Sequence, residues 1–235
     1  MSFRFSFVLA AVCGAAVTHN NYPAVACTGA KLVAKDGSVV VGRTLEFGQP
    51  LDSSIILVPA GHKYTGTTPD GKSGMAWQVK YPFTGMNFLD QPHIIDGLNA
   101  KGLAVGLFYF PGYADYQKFD GAKADSSLAP WEFGTWMLGS FATIDEVKKG
   151  LANVRVVPTV FSKWGFVPPA HFAVTDAKGN SIVIEFVDGT MHVYDNPIGV
   201  LTNSPTFDWH LTNLRNYINL SPINVAPERI GGKLG

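Results

Sequence analysis

Cysteine is nearly absent from this 235-residue chain: Cys13 and Cys27 are the only two. Cys13 lies in an N-terminal leader (below), so the mature part keeps a single thiol and cannot form an internal disulfide. A charge excess is also missing, with 18 Lys and Arg against 18 Asp and Glu. That balance gives no argument for a nucleic-acid or polyanion partner. No apolar run reaches the length of a membrane-spanning helix. The six histidines (His19, His62, His93, His171, His192 and His210) are scattered. None has ligand spacing with a Cys or a carboxylate, so no metal site is expected. There is no internal repeat and no low-complexity tract.

What is present begins with an export pattern. Arg4 supplies a positive start, and Phe5 to Val17 is apolar apart from Ser6 and Gly14. Ala24-Val25-Ala26 has the small-x-small form of a signal-peptidase site. Cleavage after Ala26 makes residues 1–26 a signal peptide and Cys27 the first residue of a periplasmic or secreted chain, long enough for one sizeable domain. Cys27 then carries a thiol and a free α-amine on one carbon, a nucleophile with its own base. Two other readings compete. A lone Cys is often a buried apolar residue, and bacterial lipoproteins begin at a lipidated Cys after small residues. Against lipidation, Ala24 stands where a Leu is expected, and Thr18 to Pro23 separates the apolar core from the cysteine.

The rest of the chain reads as strands, helices, strands and a helix. Lys31–Ala34 and Val39–Arg43 flank Asp36-Gly37, a strong hairpin signal. Ser54–Pro59 and Ala76–Tyr81 read as strands, and a further Asp-Gly pair, Asp96-Gly97, precedes the apolar run Leu103 to Phe110. Pro130 and Trp131 open a helical middle. Thr143-Ile144-Asp145-Glu146 is a capping box that starts a helix towards Leu151. Strands resume at Phe172–Thr175, Ser181–Phe186, Met191–Tyr194 and Gly199–Thr202, and a helix begins near Thr206. Clustered hairpins with segregated helices predict an α+β fold with mostly antiparallel sheet.

Five stretches, in order and spanning nearly all of the mature chain, resemble the choloylglycine hydrolase family. They are Cys27-Thr28-Gly29 with Val41 to Phe47, Asp96-Gly97-Leu98-Asn99-Ala100-Lys101-Gly102-Leu103, Phe110 to Tyr116, Leu201-Thr202-Asn203-Ser204-Pro205, and Asn213 to Tyr217. That family holds bile salt hydrolases and penicillin V acylases. The resemblance implies the four-layer αββα sandwich of N-terminal nucleophile hydrolases, no cofactor, and often a homotetramer. It implies roles for five residues: Cys27 as nucleophile, Arg43 as its charged neighbour, and Glu46, in place of the more usual Asp, holding the α-amine. Asn203 is the side-chain oxyanion donor, and Tyr109 the backbone one.

The implied substrate is a small N-acyl amide with an apolar acyl group. Tyr109 tilts the choice to penicillin V or an N-acyl-homoserine lactone, with conjugated bile acids as the alternative. A non-catalytic exported binding protein of the same fold is the competing class. Trp77, Phe83, Tyr113 and Trp131, with Tyr81 and Phe88, are candidates to line the acyl pocket. A further family arginine beyond the asparagine helix has no match, and Arg229 is not assigned that role. The ending Gly231 to Gly235 closes with no strand or helix, which predicts that the natural protein continues.

Overall fold

The computed structural model describes residues 27–220 and the backbone of 229–230 and 233–234. The leader, the cleavage site and most of the glycine-rich ending lie outside the described residues; contrary to the expectation of no closing strand, Lys233–Leu234 pair antiparallel with Arg229–Ile230. The first hairpin forms where Asp36-Gly37 directs it. β1 (Thr28–Val33) and β2 (Val39–Thr44) pair antiparallel, from Thr28 opposite Thr44 to Val33 opposite Val39. Gly37 takes a φ of +86° in the turn, a conformation glycine adopts without a Cβ clash. β3 (Ile55–Val58) follows, then a hairpin of β4 (Lys63–Thr67) and β5 (Ser73–Gln78). β6 (Phe83–Asn87), β7 (Ile94–Asn99) and β8 (Ala104–Tyr109) form a meander.

β9 (Ser127–Leu128) leads to α1 (Phe133–Ser140) and α2 (Ile144–Gly150), and β10 (Arg155–Val156) returns parallel to β9. A second meander of β11 (Ala170–Thr175), β12 (Ser181–Val187) and β13 (Thr190–Asp195) comes next. β14 (Val200–Leu201) returns beside β1, and α3 (Phe207–Leu214) follows it. Thr143 caps α2 as its sequence predicts, its Oγ1 accepting the Glu146 N–H at 3.2 Å, while Glu146 reaches back to the N–H of Ala142 at 2.8 Å.

Seven strands form one antiparallel sheet in the order β13-β12-β11-β8-β7-β6-β3, and β14-β1-β2 form a second. The fold is α+β, as the sequence implied. α1 is buried from Phe133 to Gly139, as a helix that is apolar all round must be. With α2 it covers one face of the seven-stranded sheet, packing Phe133, Met137 and Ile144 against Val105, Phe172 and Ile184. The three-stranded sheet stacks on part of the other face. Gly29 permits that approach, because a Cβ there would stand 2.5 Å from the Phe108 ring.

One sequence signal led elsewhere. Asp96-Gly97 is not a turn but lies inside β7, with Asp96 opposite Met86 on β6 and Gly106 on β8. The glycine serves packing: a Cβ at Gly97 would come within 2.6 Å of Leu138 on α1. Gly97 therefore lets the helix lie close on the sheet, and Asp96 is left pointing to the opposite face.

Candidate active site

Cys27 immediately precedes β1 and is 2% exposed, packed with Phe108, Val183, Leu201 and Phe207. Two contacts hold it. Its Sγ donates to the Glu46 carbonyl at 3.7 Å, and its own carbonyl accepts from Thr202 Oγ1 at 2.9 Å. The second contact follows from strand order. β14 pairs with β1, Leu201 opposite Gly29, so Thr202 and Asn203 emerge beside the residue that leads into β1.

Arg43 arrives from the other side of β1, directly opposite Gly29 on β2. Its side chain is 10% exposed. The guanidinium carbon lies 4.2 Å above the Phe108 ring, close enough for a cation–π contact. Nη1 donates to both Asp96 oxygens, at 3.3 and 3.2 Å, and to the Leu107 carbonyl, and Nε donates to the Thr44 carbonyl at 3.1 Å. Nη2 is buried and meets no acceptor among the described residues. Burial pushes the Asp96 carboxyl up, and Arg43 opposes that shift. Asp96 thus fixes the plane of the guanidinium and leaves one of its nitrogens available.

Cys27, Arg43 and Tyr109 all line one narrow apolar cavity of about 60 Å³, whose walls include Phe47, Phe88, Trp131 and Trp164. The Tyr109 ring meets Phe47 edge-on at 5.6 Å. Trp164 packs on Phe47 at 5.4 Å and on Phe88 at 5.8 Å, joining the two walls.

Asn203 is 7% exposed and lies two residues past the end of β14. Its carbonyl lies 3.1 Å from His210 Nε2 on α3. Glu46 meets Cys27 through its backbone; its side chain is exposed, and among the described residues no hydrogen bond of its carboxylate is seen. Of the four aromatic candidates in the pocket reading, Trp131 lines the cavity. Trp77 stacks on Tyr64 in the helix-side core at 5.0 Å, Phe83 is buried in that same core, and Tyr113 is 43% exposed and stacks on Phe110. Phe88, from the wider aromatic set, does line it.

Asp96, Phe47 and Trp164 were not singled out from sequence. Asp96 carried a signal, a carboxylate after Ile94-Ile95 in an apolar stretch, but the following Gly97 made it look like a turn. Phe47 and Trp164 carried none that separates a cavity wall from a core aromatic. Among the described residues, no three His, Cys, Asp or Glu side chains gather as metal ligands, and no helix is long and apolar enough to cross a membrane.

Comparison with known proteins agrees with this arrangement. The family of linear amide C–N hydrolases described as the choloylglycine hydrolase family matches residues 27–234. A bile salt hydrolase/transferase of Clostridium perfringens is 37% identical over 204 residues, which cover 86% of this chain and 60% of that protein. A penicillin V acylase of Pectobacterium atrosepticum is 25% identical over 202 residues, covering 83% of this chain and 50% of that protein. The crystal structure of a mutant conjugated bile acid hydrolase from Clostridium perfringens superposes with a TM-score of 0.73 at 35% identity, covering 88% of this chain and 62% of that one. The chain therefore spans less than two thirds of the length of these relatives.

Proposed function

This chain belongs to the choloylglycine hydrolase family of linear amide C–N hydrolases, and we propose that it is an exported amidase with Cys27 as its N-terminal nucleophile. In this reading the leader is removed after Ala26, the mature protein is periplasmic or secreted, and it assembles as a homotetramer. The observation that carries it is a convergence. A thiol and a guanidinium with one unengaged nitrogen line the same apolar cavity, and Thr202 ties Cys27 to the strand end that bears Asn203.

The chemistry follows from that geometry. The Cys27 α-amine, directly or through one water, takes the thiol proton. The thiolate then attacks the amide carbonyl carbon and the carbonyl π electrons move to oxygen. The Asn203 side-chain amide and the Tyr109 backbone N–H donate to that oxyanion, a preorganised stabilisation typically worth on the order of 100–1,000-fold per donor. Collapse expels the amine, which takes the proton held by the α-ammonium, and leaves a thioester on Cys27. Water attacks the thioester, releases the carboxylic acid and restores the thiol. Arg43 favours thiolate over thiol and cannot itself accept the proton. Glu46 contributes its backbone carbonyl at the sulfur, and in the proposal its carboxylate orients the α-amine.

The substrate is an N-acyl amide whose acyl group is apolar. Conjugated bile acids come first, because the bile salt hydrolase/transferase of Clostridium perfringens is 37% identical and the penicillin V acylase stands at 25%. Penicillin V is the second reading, favoured by the aromatic walls of Phe47, Tyr109, Trp131 and Trp164, which suit a flat phenoxy group. An N-acyl-homoserine lactone belongs to the same panel.

Two measurements test this. Intact-mass determination on the exported protein is expected to give a chain starting at an unmodified Cys27; a lipid-sized increment supports the non-catalytic lipoprotein instead. Turnover of glycine- and taurine-conjugated bile acids, penicillin V and a long-chain acyl-homoserine lactone is expected to disappear in Cys27→Ser. Retained turnover in that variant rejects the mechanism.

A further inference from the structure

Behind the segments that bear Tyr109 and Asn203 lies a polar pair that the reaction above does not use. His171 on β11 and Glu185 on β12 are both 0% exposed, and His171 Nδ1 lies 2.9 Å from Glu185 Oε1. They are cross-strand neighbours, one step beyond the last ladder pair, Phe172 with Ile184. A carboxyl group inside a sandwich is costly unless its oxygens are bonded. Its partners therefore say what it holds.

Besides His171, Glu185 takes the backbone N–H of Phe207, at 3.0 and 3.1 Å to its two oxygens. Phe207 opens α3, and the N-cap residue Thr206 makes no side-chain cap of its own. Glu185 supplies the missing cap from another element. One turn along α3, His210 Nε2 reaches the Asn203 carbonyl at 3.1 Å. The carboxylate thus anchors the helix, and the helix anchors the asparagine.

The imidazole holds the other side. Phe110 stacks on it at 4.3 Å with the planes 6° apart, and Phe108 meets it edge-on at 6.2 Å. These two rings flank Tyr109. Burial keeps the His171 pKa below the ordinary imidazole range, against the opposing pull of Glu185 and the Thr202 backbone. The neutral ring therefore donates from Nδ1 to the carboxylate. Ser204 Oγ donates to the Pro111 carbonyl at 2.7 Å, which closes the circuit between the two segments. A buried His–Glu pair is often no more than a satisfied piece of core. This one joins the strand of Tyr109 to the loop of Asn203 and little else.

We propose that His171 and Glu185 are positioning residues that set the Tyr109 backbone and the Asn203 loop at a fixed separation before substrate arrives. The inference rests on the reading of Cys27 as nucleophile with Tyr109 and Asn203 as oxyanion donors. The pair never touches substrate. It acts by holding two donors to a tolerance that matters, since a displacement of about 1 Å near reacting groups can cost on the order of 100-fold in rate.

The test compares two reactions of the same thiol in the processed chain. Acylation by p-nitrophenyl acetate passes through a tetrahedral oxyanion, whereas alkylation by iodoacetamide is a displacement at carbon that forms none. In His171→Gln and Glu185→Gln, the acylation rate is expected to fall about 10- to 100-fold with the alkylation rate unchanged. An unchanged acylation rate, or a parallel loss of both rates, overturns the proposal. Phe110→Leu keeps the hydrogen bonds and removes only the stacking, so it decides the matter if the polar variants do not fold. There acylation is expected to drop several-fold, and an unchanged acylation-to-alkylation ratio overturns the proposal. Wild-type acylation no faster than that of Cys27→Ala would instead remove the nucleophile reading, and this inference with it.

Discussion

The two faces of the seven-stranded sheet differ sharply. The face towards α1 and α2 carries Val105, Phe172, Val174, Ile182, Ile184 and Phe186, all buried and all apolar. The opposite face carries Asp96, Phe108, His171 and Glu185, and it meets Cys27 and Arg43. The same strands build both, because successive residues point to opposite sides. One face is packed for cohesion, and the other holds buried polar groups bonded largely to one another, with Arg43 Nη2 left without an acceptor among the described residues. The covering differs too. Towards β3 the second face is open, with Ile55 and Leu57 more than 70% exposed, since the three-stranded sheet reaches only part of it. The two sides are thus specialised, although the cavity also takes Leu107 and Tyr109 from the side of β8 that carries Val105, and substitutions deep in each side have separable consequences.

The sharpest break in that division is expected from Phe172→Ala. Phe172 is 0% exposed and meets Phe133 of α1 edge-on at 5.0 Å. Its loss leaves a cavity in the helix-side core and costs about 3–5 kcal/mol of stability. Denaturant unfolding measures this. The protein that remains folded is expected to alkylate at Cys27 at the wild-type rate. A loss of thiol reactivity in the folded fraction would show that the faces are not independent.

A smaller effect on stability, with a larger one on the site, is expected from Asp96→Asn. The amide keeps the shape of the carboxylate but not its charge, so Arg43 loses its counter-ion while keeping the Leu107 and Thr44 carbonyls. The ion pair is only partly buried, with side-chain exposures of 10% and 26%. A cost of about 1–3 kcal/mol follows, below that of breaking a fully buried pair. If Asp96 serves to aim the guanidinium, turnover falls about tenfold, which steady-state kinetics on the chosen amide would read. Equal loss of stability and no loss of turnover would make Asp96 a packing residue.

Much of this was legible from the chain. Asp36-Gly37 placed the first hairpin, Thr143 with Glu146 placed the start of α2, and Cys27 and Arg43, picked out by motif, line one cavity. These are local signals, written in turn chemistry or carried by short motifs. What escaped depends on which side of a strand faces what. Trp77 and Phe83 alternate as strand residues should, yet nothing local says that their rings join the helix-side core rather than the cavity. Trp164 reaches the cavity by packing at a tilt against Phe47, more than a hundred residues earlier in the chain. Asp96-Gly97 misled because the glycine was needed for α1 to approach the sheet, a contact made only in the tertiary fold.

The finest test of the comparison is the dependence of stability on pH, because two groups near the helix layer titrate in opposition. His93 is 7% exposed, and burial lowers its pKa to about 4. Its unfolded form binds a proton first, so its contribution is complete above about pH 6.5 and is lost as pH falls towards 4. Glu132 is 1% exposed and accepts from Ala129 and Thr67, and burial raises its pKa to about 6. Here the folded form keeps the proton longer, so stability is lost as pH rises from about 4.5 to 6. Between pH 7 and pH 5 the histidine removes about 2 kcal/mol and the glutamate returns about 1 kcal/mol. The glutamate therefore offsets only about half of the histidine's loss over that interval, leaving a net cost of about 1 kcal/mol. His93→Phe is expected to gain stability on acidification, and Glu132→Gln to lose it more steeply than wild type. Thermal melts at the two pH values read both slopes, and parallel slopes in the two variants would mean that groups on the site face, not these two, govern the acid response.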